Sequence, residues 1–323
     1  MQAKKLIFKL VIFSVLNLAV MVSLLSFFSG RNRNIDFKNW ETESNLLVTG
    51  ENEHYDVAIL GTSRGRIFSR DSNHFTMEKI LGKKVINLSK GGGGGGLMPA
   101  KIHLDHFYSR GNRVIHIIYF VDPWVFFSPI NNENNTFFLR DEPFELSILW
   151  DLILNRFPSQ QIISYIQMIA VDDWKHLSQY GEPGLDKLTL KAIDPVKLEK
   201  ARDHYLGLYD YDKFNYYSHF LTKINRTAKK HKSKITYVML PILMKDFPGA
   251  GQVDEKIKEI SKNEEVGYYN LIDKMHDRHF FYDHMHFNNN GVAHFTETYM
   301  KSILKQIPLN QVGKPQHRNG VKP

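Results

Sequence analysis

The sequence contains no cysteine among its 323 residues. Disulfides, thiolate metal sites and a cysteine nucleophile are therefore all excluded. This absence is compatible with an oxidising compartment, although it does not establish one. A nucleophile in this chain has to come from another side chain, such as a serine hydroxyl.

The sequence also lacks strong compositional bias and long runs of charge. Hydrophobic residues make up 42% and charged residues 24%, values typical of globular domains, which excludes general disorder. The net charge is +8, but basic residues cluster only in short runs such as 229–232. We therefore expect no nucleic-acid partner, and at most an attraction to anionic lipid or a cell-wall polymer.

One long apolar run is present, at the N-terminus. Residues 10–28 carry no charge and follow Lys4, Lys5 and Lys9. A bilayer core about 30 Å thick needs about 20 helical residues, so this segment is long enough to span a membrane. A cleaved signal peptide is the alternative, but its apolar core is usually shorter and ends at a small-residue site. We interpret residues 1–30 as a signal anchor, with a cytoplasmic N-terminus and the bulk of the chain extracytoplasmic.

Short apolar runs alternate with helical patterns beyond this anchor. The strand candidates are residues 55–60, 84–88, 113–121, 234–240 and 267–272. Such alternation is typical of right-handed βαβ units on a parallel sheet. We predict a three-layer α/β/α fold with a flavodoxin-like parallel sheet over residues 55–307. A polar linker over 31–54 precedes it, and a disordered tail over 308–323 follows it.

Residues 130–215 interrupt this alternation. Residues 144–170 carry a long apolar helical pattern, and residues 205–217 are rich in tyrosine and aspartate. We interpret the region as a helical insertion that forms a lid or a membrane-facing subdomain. Ordinary helices covering the sheet are the alternative. The tyrosines either stack on sugars or pack as an aromatic cluster.

The strand candidate at 55–60 ends abruptly at Gly61, Thr62 and Ser63. A serine there is exposed at the carboxyl edge of the sheet, where open α/β folds bind ligands. A following helix N-terminus favours developing negative charge. Serine is a poor nucleophile unless a base takes its proton, and by itself Ser63 is better explained as a helix N-cap.

Asp283 and His286 lie near the other end of the chain, just before the last predicted helix at 291–307. Side chains three residues apart on a helical turn share a face, so the carboxylate can hold the imidazole in one tautomer. The other ring nitrogen is then free to accept the proton of Ser63. We predict a catalytic triad of Ser63, His286 and Asp283, with the hydroxyl and the imidazole near hydrogen-bond reach.

Six consecutive glycines, residues 91–96, follow the second strand candidate. No Gly-Lys-Ser/Thr follows them, so a phosphate-binding P-loop is poorly supported. They form either a flexible linker or a loop whose backbone N–H stabilises an oxyanion. Gly92 is our candidate for that donor, and the backbone N–H of Ser63 is the second.

A metal site is an alternative interpretation of the C-terminal motif. A His-x-His pair close to Asp283 has the ligand types that zinc prefers. The histidines in this region are His276, His279, His284 and His286. We favour the triad, and expect no metal and no other cofactor.

These motifs resemble the conserved blocks of the SGNH/GDSL hydrolase superfamily. The resemblance is strongest to its membrane-anchored, extracytoplasmic branch, which includes alginate O-acetyltransferase-type proteins and D-alanyl transfer proteins. Residues 60–63 resemble the first block, residues 87–96 the second and residues 283–288 the fifth. The resemblance implies that Ser63 is the nucleophile, that His286 is the base oriented by Asp283, and that a glycine contributes to the oxyanion hole.

The third block departs from the family pattern. The family commonly has an asparagine that donates to the oxyanion, whereas this chain has Asp122 within residues 120–124. A carboxylate cannot donate and repels an oxyanion, so Asp122 is a poor substitute. Arg64, Asp122 and Trp124 are instead our candidates for substrate contacts.

The resemblance implies an ester hydrolase or O-acyltransferase that works through an acyl-serine intermediate. Its expected substrate is an extracellular glycan or another acyl-carrying envelope polymer, and a membrane-bound protein that delivers the acyl donor is a possible partner. The alternative is a catalytically weak or inactive protein that binds or helps assemble such a polymer. An intact triad favours the enzyme, and the missing asparagine favours the alternative.

Overall fold

The computed structural model describes eight segments of the chain, with short gaps between them. They are residues 2–30, 38–70, 72–91, 93–135, 137–139, 142–171, 188–264 and 266–305. The expected tail over 308–323 and the first part of the expected linker, 31–37, lie outside the described residues.

Five parallel strands form the central sheet. They are β1 (His54–Leu60), β2 (Val85–Asn87), β3 (Arg113–Phe120), β4 (Lys234–Met239) and β5 (Gly267–Asn270), in the spatial order β2-β1-β3-β4-β5. This order is that of a flavodoxin-like sheet, whose switch point lies between β1 and β3. The predicted fold class is confirmed.

Strands β1, β3 and β4 carry buried apolar residues on both sides because helices cover both faces of the sheet. In β1, Ala58 and Leu60 belong to one hydrophobic cluster, while Val57 and Ile59 belong to the other. All four are fully buried. Successive side chains point to opposite faces, so a continuous apolar run divides equally between the two cores.

The helices complete the three layers. They are α1 (Gln2–Gly30), α2 (Asn45–Val48), α3 (Ser63–Arg66), α4 (Asn73–Leu81), α5 (Leu97–Ser109), α6 (Leu146–Leu154), α7 (Ser159–Val171), α8 (Pro195–Gly207), α9 (Phe214–Lys230), α10 (Ala250–Glu264), α11 (Asn289–Phe295) and α12 (Lys301–Lys305). Helices α5, α9 and α10 bury their apolar faces in the cluster of Ala58 and Leu60. Helices α4, α11 and α12 bury theirs in the cluster of Val57 and Ile59.

The N-terminal helix α1 is long and apolar enough to cross a membrane. Its span Ala3–Phe27 has a mean hydropathy of 2.4, and the charged residues in it are the lysines at positions 4, 5 and 9. Such a helix fits the single-pass anchor that the sequence predicts. The long apolar pattern at 144–170 forms two helices, α6 and α7, rather than one. Pro158 separates them, since the residue before a proline disfavours the helical conformation.

The polar segment 38–54, part of the predicted linker, packs against the domain. Seven of its seventeen residues are buried, and part of it forms α2. Glu142 holds it to the domain by accepting hydrogen bonds from Ser44 Oγ (2.6 Å) and from the backbone N–H of Asn45 and Leu46 (2.9 Å each). Polar groups of this segment therefore form buried hydrogen bonds to the domain and are not simply solvated.

Candidate functional site

Ser63 lies directly beyond the carboxyl end of β1, at the switch point of the sheet. The N-cap of α3 is Thr62, whose hydroxyl accepts the backbone N–H of Arg64 at 3.3 Å. Ser63 is thus the first residue of the helix and not its cap, which leaves its hydroxyl available for another partner. In the described part of the chain its backbone N–H has no acceptor.

The hydroxyl of Ser63 meets the imidazole of His286. Ser63 Oγ lies 2.9 Å from His286 Nε2, and His286 Nδ1 lies 2.8 Å from Asp283 Oδ2. The predicted approach of these residues, separated by more than two hundred positions in the chain, is confirmed. With Nδ1 protonated toward the carboxylate, Nε2 is an acceptor for the serine proton.

Asp283 and His286 lie in a non-helical turn, whereas we expected them to lie on one turn of a helix. Asp283 Oδ1 accepts the backbone N–H groups of Met285 (2.8 Å) and His286 (2.7 Å). An antiparallel bridge between Phe281 and Phe287 closes the loop. A short carboxylate that binds backbone N–H groups two and three residues ahead makes such a turn locally stable.

Asp283 therefore has two functions, because one oxygen closes the turn and the other orients the ring. Burial by itself raises the pKa of Asp283. The hydrogen bond and the charge of His286, together with the two backbone donors, outweigh burial and hold the pKa below its usual value. The carboxylate stays ionised and can stabilise an imidazolium.

The ring of His286 is also held by stacking and by neighbouring segments. Tyr282 stacks on it with ring centroids 5.4 Å apart. The adjacent His284 accepts the backbone N–H of Asp194 through Nε2 at 3.2 Å. Residues 188–194, which lie within the expected insertion, thus border the motif, with Leu190 N donating to Phe281 O at 2.8 Å.

Arg64 and Asp122 are not placed as the substrate contacts we expected. Both are buried, and Arg64 Nη1 pairs with Asp122 Oδ1 at 2.6 Å. Arg64 also donates to the carbonyl oxygens of Met285 (3.0 Å) and Pro241, while Asp122 accepts the hydroxyl of Thr62. The pair joins the loops that follow β1, β3 and β4 to the loop of the triad.

This arrangement gives a physical account of the aspartate at position 122. The guanidinium of Arg64 neutralises the carboxylate of Asp122. The negative charge of Asp122 is therefore paired inside the protein and does not face a reacting group. Sequence reasoning missed this role. The available signal was that Arg64 and Asp122 follow the ends of two strands that are neighbours in a flavodoxin-like sheet.

Trp124 is also buried, which differs from the open substrate contact we expected. Its ring packs on Tyr205 (centroids 4.8 Å apart) and Phe247 (5.5 Å). Tyr209 likewise stacks on Phe127 at 4.5 Å. The tyrosine-rich stretch thus contributes to aromatic packing near the site, as the second of our two interpretations expected.

The glycine run lies against the turn that carries Ser63. Gly92, our candidate oxyanion donor, lies outside the described residues. A Cβ on Gly95 would lie 2.5 Å from the Cα of Thr62, and one on Gly96 would overlap the carbonyl oxygen of Asn131. These glycines therefore permit a close backbone approach rather than serving as a flexible linker.

The C-terminal histidines do not converge on one point. His279 pairs with Asp277 through Nδ1 at 2.6 Å, whereas His284 and His286 have the separate partners given above. Across the segments that the structure describes, no three His, Cys, Asp or Glu side chains are grouped to hold a metal ion.

No protein-family model and no curated protein sequence matches this chain. The function of the protein is therefore inferred from its motifs and from the geometry that they form. That geometry is a hydroxyl, an imidazole and a carboxylate in a continuous hydrogen-bonded series at the ligand-binding edge of a parallel sheet. Such a series can activate the hydroxyl for attack on an acyl carbon.

Proposed function

We propose that this protein is an SGNH-type ester hydrolase or O-acyltransferase that works through an acyl-Ser63 intermediate. The observation that carries the proposal is the series from Ser63 Oγ to His286 Nε2 (2.9 Å) and from His286 Nδ1 to Asp283 Oδ2 (2.8 Å). The order of the strands and the place of Ser63 at the switch point support the same conclusion.

Catalysis follows from the roles of these three side chains. His286 Nε2 takes the proton of Ser63 as Oγ attacks the acyl carbon, and Asp283 stabilises the resulting imidazolium. The Ser63 N–H is available to the oxyanion of the tetrahedral intermediate. The imidazolium then gives its proton to the leaving alcohol, and the acyl group stays on Ser63. Water or an acceptor hydroxyl, deprotonated by His286, completes hydrolysis or transfer.

The membrane anchor suggests where the substrate lies. Helix α1 would keep the domain at a membrane surface, and the lysines near the N-terminal end of this helix favour an extracytoplasmic domain. An envelope glycan or another acyl-carrying polymer is the substrate that best fits this placement. We further propose that a membrane-bound partner supplies the acyl donor if the reaction is a transfer.

Trapping with a serine-reactive phosphonate tests the proposal directly. We expect one adduct on the full-length protein, mapped to Ser63 by peptide mass spectrometry, and no adduct on Ser63→Ala or His286→Ala. Ser302→Ala is the matched control, because Ser302 is exposed on α12 and should leave labelling unchanged. An adduct elsewhere, or unchanged hydrolysis of a chromogenic acetyl ester by Ser63→Ala, would remove Ser63 from the mechanism.

One observation favours a second candidate, a protein that binds an envelope polymer without acting on it. Asp122 stands where the superfamily commonly places an oxyanion donor, and its carboxylate is tied to Arg64. In that case we expect no phosphonate adduct at any concentration, while polymer binding persists in Ser63→Ala.

A further inference from the structure

Helix α6 is apolar on both of its sides. Ile148 and Leu152 face the core and are fully buried. The opposite stripe is also apolar and points outward, with exposed fractions of 43% at Leu146, 56% at Trp150, 45% at Ile153 and 72% at Leu154. Seven of the nine residues of α6 are apolar, Ser147 and Asp151 being the exceptions. So apolar a helix is typical of a buried or membrane-associated position.

The next helix adds one exposed apolar residue. Ile163 of α7 is 52% exposed, and α7 contacts α6. We call this set, Leu146, Trp150, Ile153, Leu154 and Ile163, the apolar face. Scattered exposed hydrophobic residues are normal in proteins, but four exposed apolar residues on one helix of nine residues mark an interaction surface.

The membrane-spanning helix lies against this same region. Helix α1 contacts α7, and two of its side chains, Val22 and Leu25, pack on the main core of the domain. Both residues lie within the apolar span Ala3–Phe27. Contact between the domain and α1 is therefore made inside the apolar span and not beyond its end.

The helical rise sets how deep this contact lies. Val22 precedes the end of the span by five residues, which is roughly 8 Å along a helix rising 1.5 Å per residue. Interfacial helices bury their apolar faces to a similar depth, about 5–10 Å into the boundary of headgroups and acyl chains. If α1 spans the bilayer, α7 and its neighbour α6 lie at this boundary.

We propose that the apolar face of α6 and α7 rests in the lipid bilayer beside α1. The continuity with α1 identifies lipid as the occupant, because the same lipid layer that surrounds α1 extends over the adjacent helices. Trp150 suits this position, since tryptophan is enriched at the membrane interface, and the exposed Arg156 between the two helices is available to lipid phosphates. This proposal does not depend on the catalytic one.

The absence of cysteine makes a site-specific test possible. The full-length protein would carry one cysteine, Leu154→Cys or Ile163→Cys, labelled with an environment-sensitive fluorophore and placed in vesicles of phosphatidylcholine and phosphatidylglycerol. Lys258→Cys is the matched control, because Lys258 is 63% exposed on α10, which packs on α9 and β5.

We expect blue-shifted emission from labels at 154 and 163, with quenching by lipids that carry a nitroxide near the headgroup. Quenching by aqueous iodide should be at least about threefold weaker than at position 258.

Iodide access equal to that at position 258 would overturn the proposal. Shielding from iodide without quenching by the lipid nitroxide would also overturn it, since a protein partner would then cover the face. Shielding that grows with protein density, together with label–label self-quenching, would assign the face to a second copy and overturn it too.

Discussion

At the scale of single residues, Asp283 is the position where local structure and proposed chemistry coincide. One oxygen closes the turn over residues 283–286, and the other holds the ring of His286. The two functions can be separated by substitution, because an amide oxygen still accepts backbone N–H groups whereas an amide cannot stabilise an imidazolium.

We expect Asp283→Asn to lower kcat/KM for a chromogenic acetyl ester by about 10³–10⁴-fold while the protein stays folded. Asp283→Ala should lower activity as much and should also lower the melting temperature, since the turn loses its acceptor. Initial rates and thermal unfolding followed by circular dichroism measure the two effects. Retention of wild-type rates by Asp283→Asn would rule out an orienting carboxylate.

Glu142 is a second residue whose environment makes a measurable prediction. Burial by itself raises its pKa, but Lys90 at 3.0 Å and the hydrogen bonds from the segment 38–54 bring the pKa down to about 2. The ionised form is thus favoured in the folded protein, and Glu142 contributes stability above its usual pKa of 4.5.

We expect Glu142→Gln to lower the free energy of unfolding by about 3–5 kcal/mol near neutral pH, because Lys90 is left buried without its counter-ion. As the pH falls from 4.5 toward 2, the wild type loses the contribution of Glu142, and the difference between the two proteins should narrow. Denaturant unfolding at several pH values measures the difference. The double variant Glu142→Gln/Lys90→Met should be less destabilised than the sum of the single changes, and strict additivity would contradict a direct pair.

At the scale of elements, the site is built where the loops after β1, β3 and β4 meet the loop of the triad. Arg64 and Asp122 join these loops in the interior. They are positioning residues in our proposal, because they act through the placement of the turns that carry Ser63 and His286.

We expect Asp122→Asn to lower the melting temperature without raising ester hydrolysis. The change introduces an amide at this position, but it leaves the guanidinium of Arg64 without a buried counter-ion, at a cost of about 3–5 kcal/mol. Thermal unfolding and kcat are the measurements. An increase in kcat would instead mean that residue 122 faces the reacting group.

The glycine loop is the other element that supports the turn of Ser63. We expect Gly95→Ala to lower both stability and hydrolysis, because the new Cβ would meet the backbone of Thr62 at 2.5 Å. Gly251→Ala is the matched control, since a Cβ there meets nothing within 4 Å in α10 and should be neutral or stabilising by up to about 1 kcal/mol. Equal effects of the two variants would show that the approach of the glycine loop is unimportant.

At the scale of the whole molecule, the anchor and the domain form one unit in our proposals. Val22 and Leu25 of α1 pack on the domain, so the helix does more than tether it. The proposed contact of α6 and α7 with lipid requires that helix α1 is not cleaved from the protein.

We expect the membrane-associated protein to retain residues 1–28 and to resist extraction by alkaline carbonate. Intact-mass analysis and N-terminal sequencing of protein purified from membranes measure this directly. A chain that begins near residue 30 would identify the apolar run as a cleaved signal and would contradict an anchored domain.

The sequence alone was sufficient for features that repeat locally. Alternating apolar runs indicated a parallel sheet covered on both faces, and the uninterrupted run at 10–28 indicated α1. The chemical types of Ser63, Asp283 and His286 were also enough to predict their approach, because a serine after a strand and an Asp-x-x-His before the last helix meet at the same edge of an α/β sheet.

Only the tertiary structure decided how the polar residues pair in the interior. The pairing of Arg64 with Asp122 and the packing of residues 38–54 around Glu142 join positions that lie tens of residues apart or more. Local periodicity reports whether a residue is apolar, but it contains no information on which distant charge will neutralise a buried one. That choice depends on the chain crossings that bring the strand ends together, and these exist only in the folded molecule.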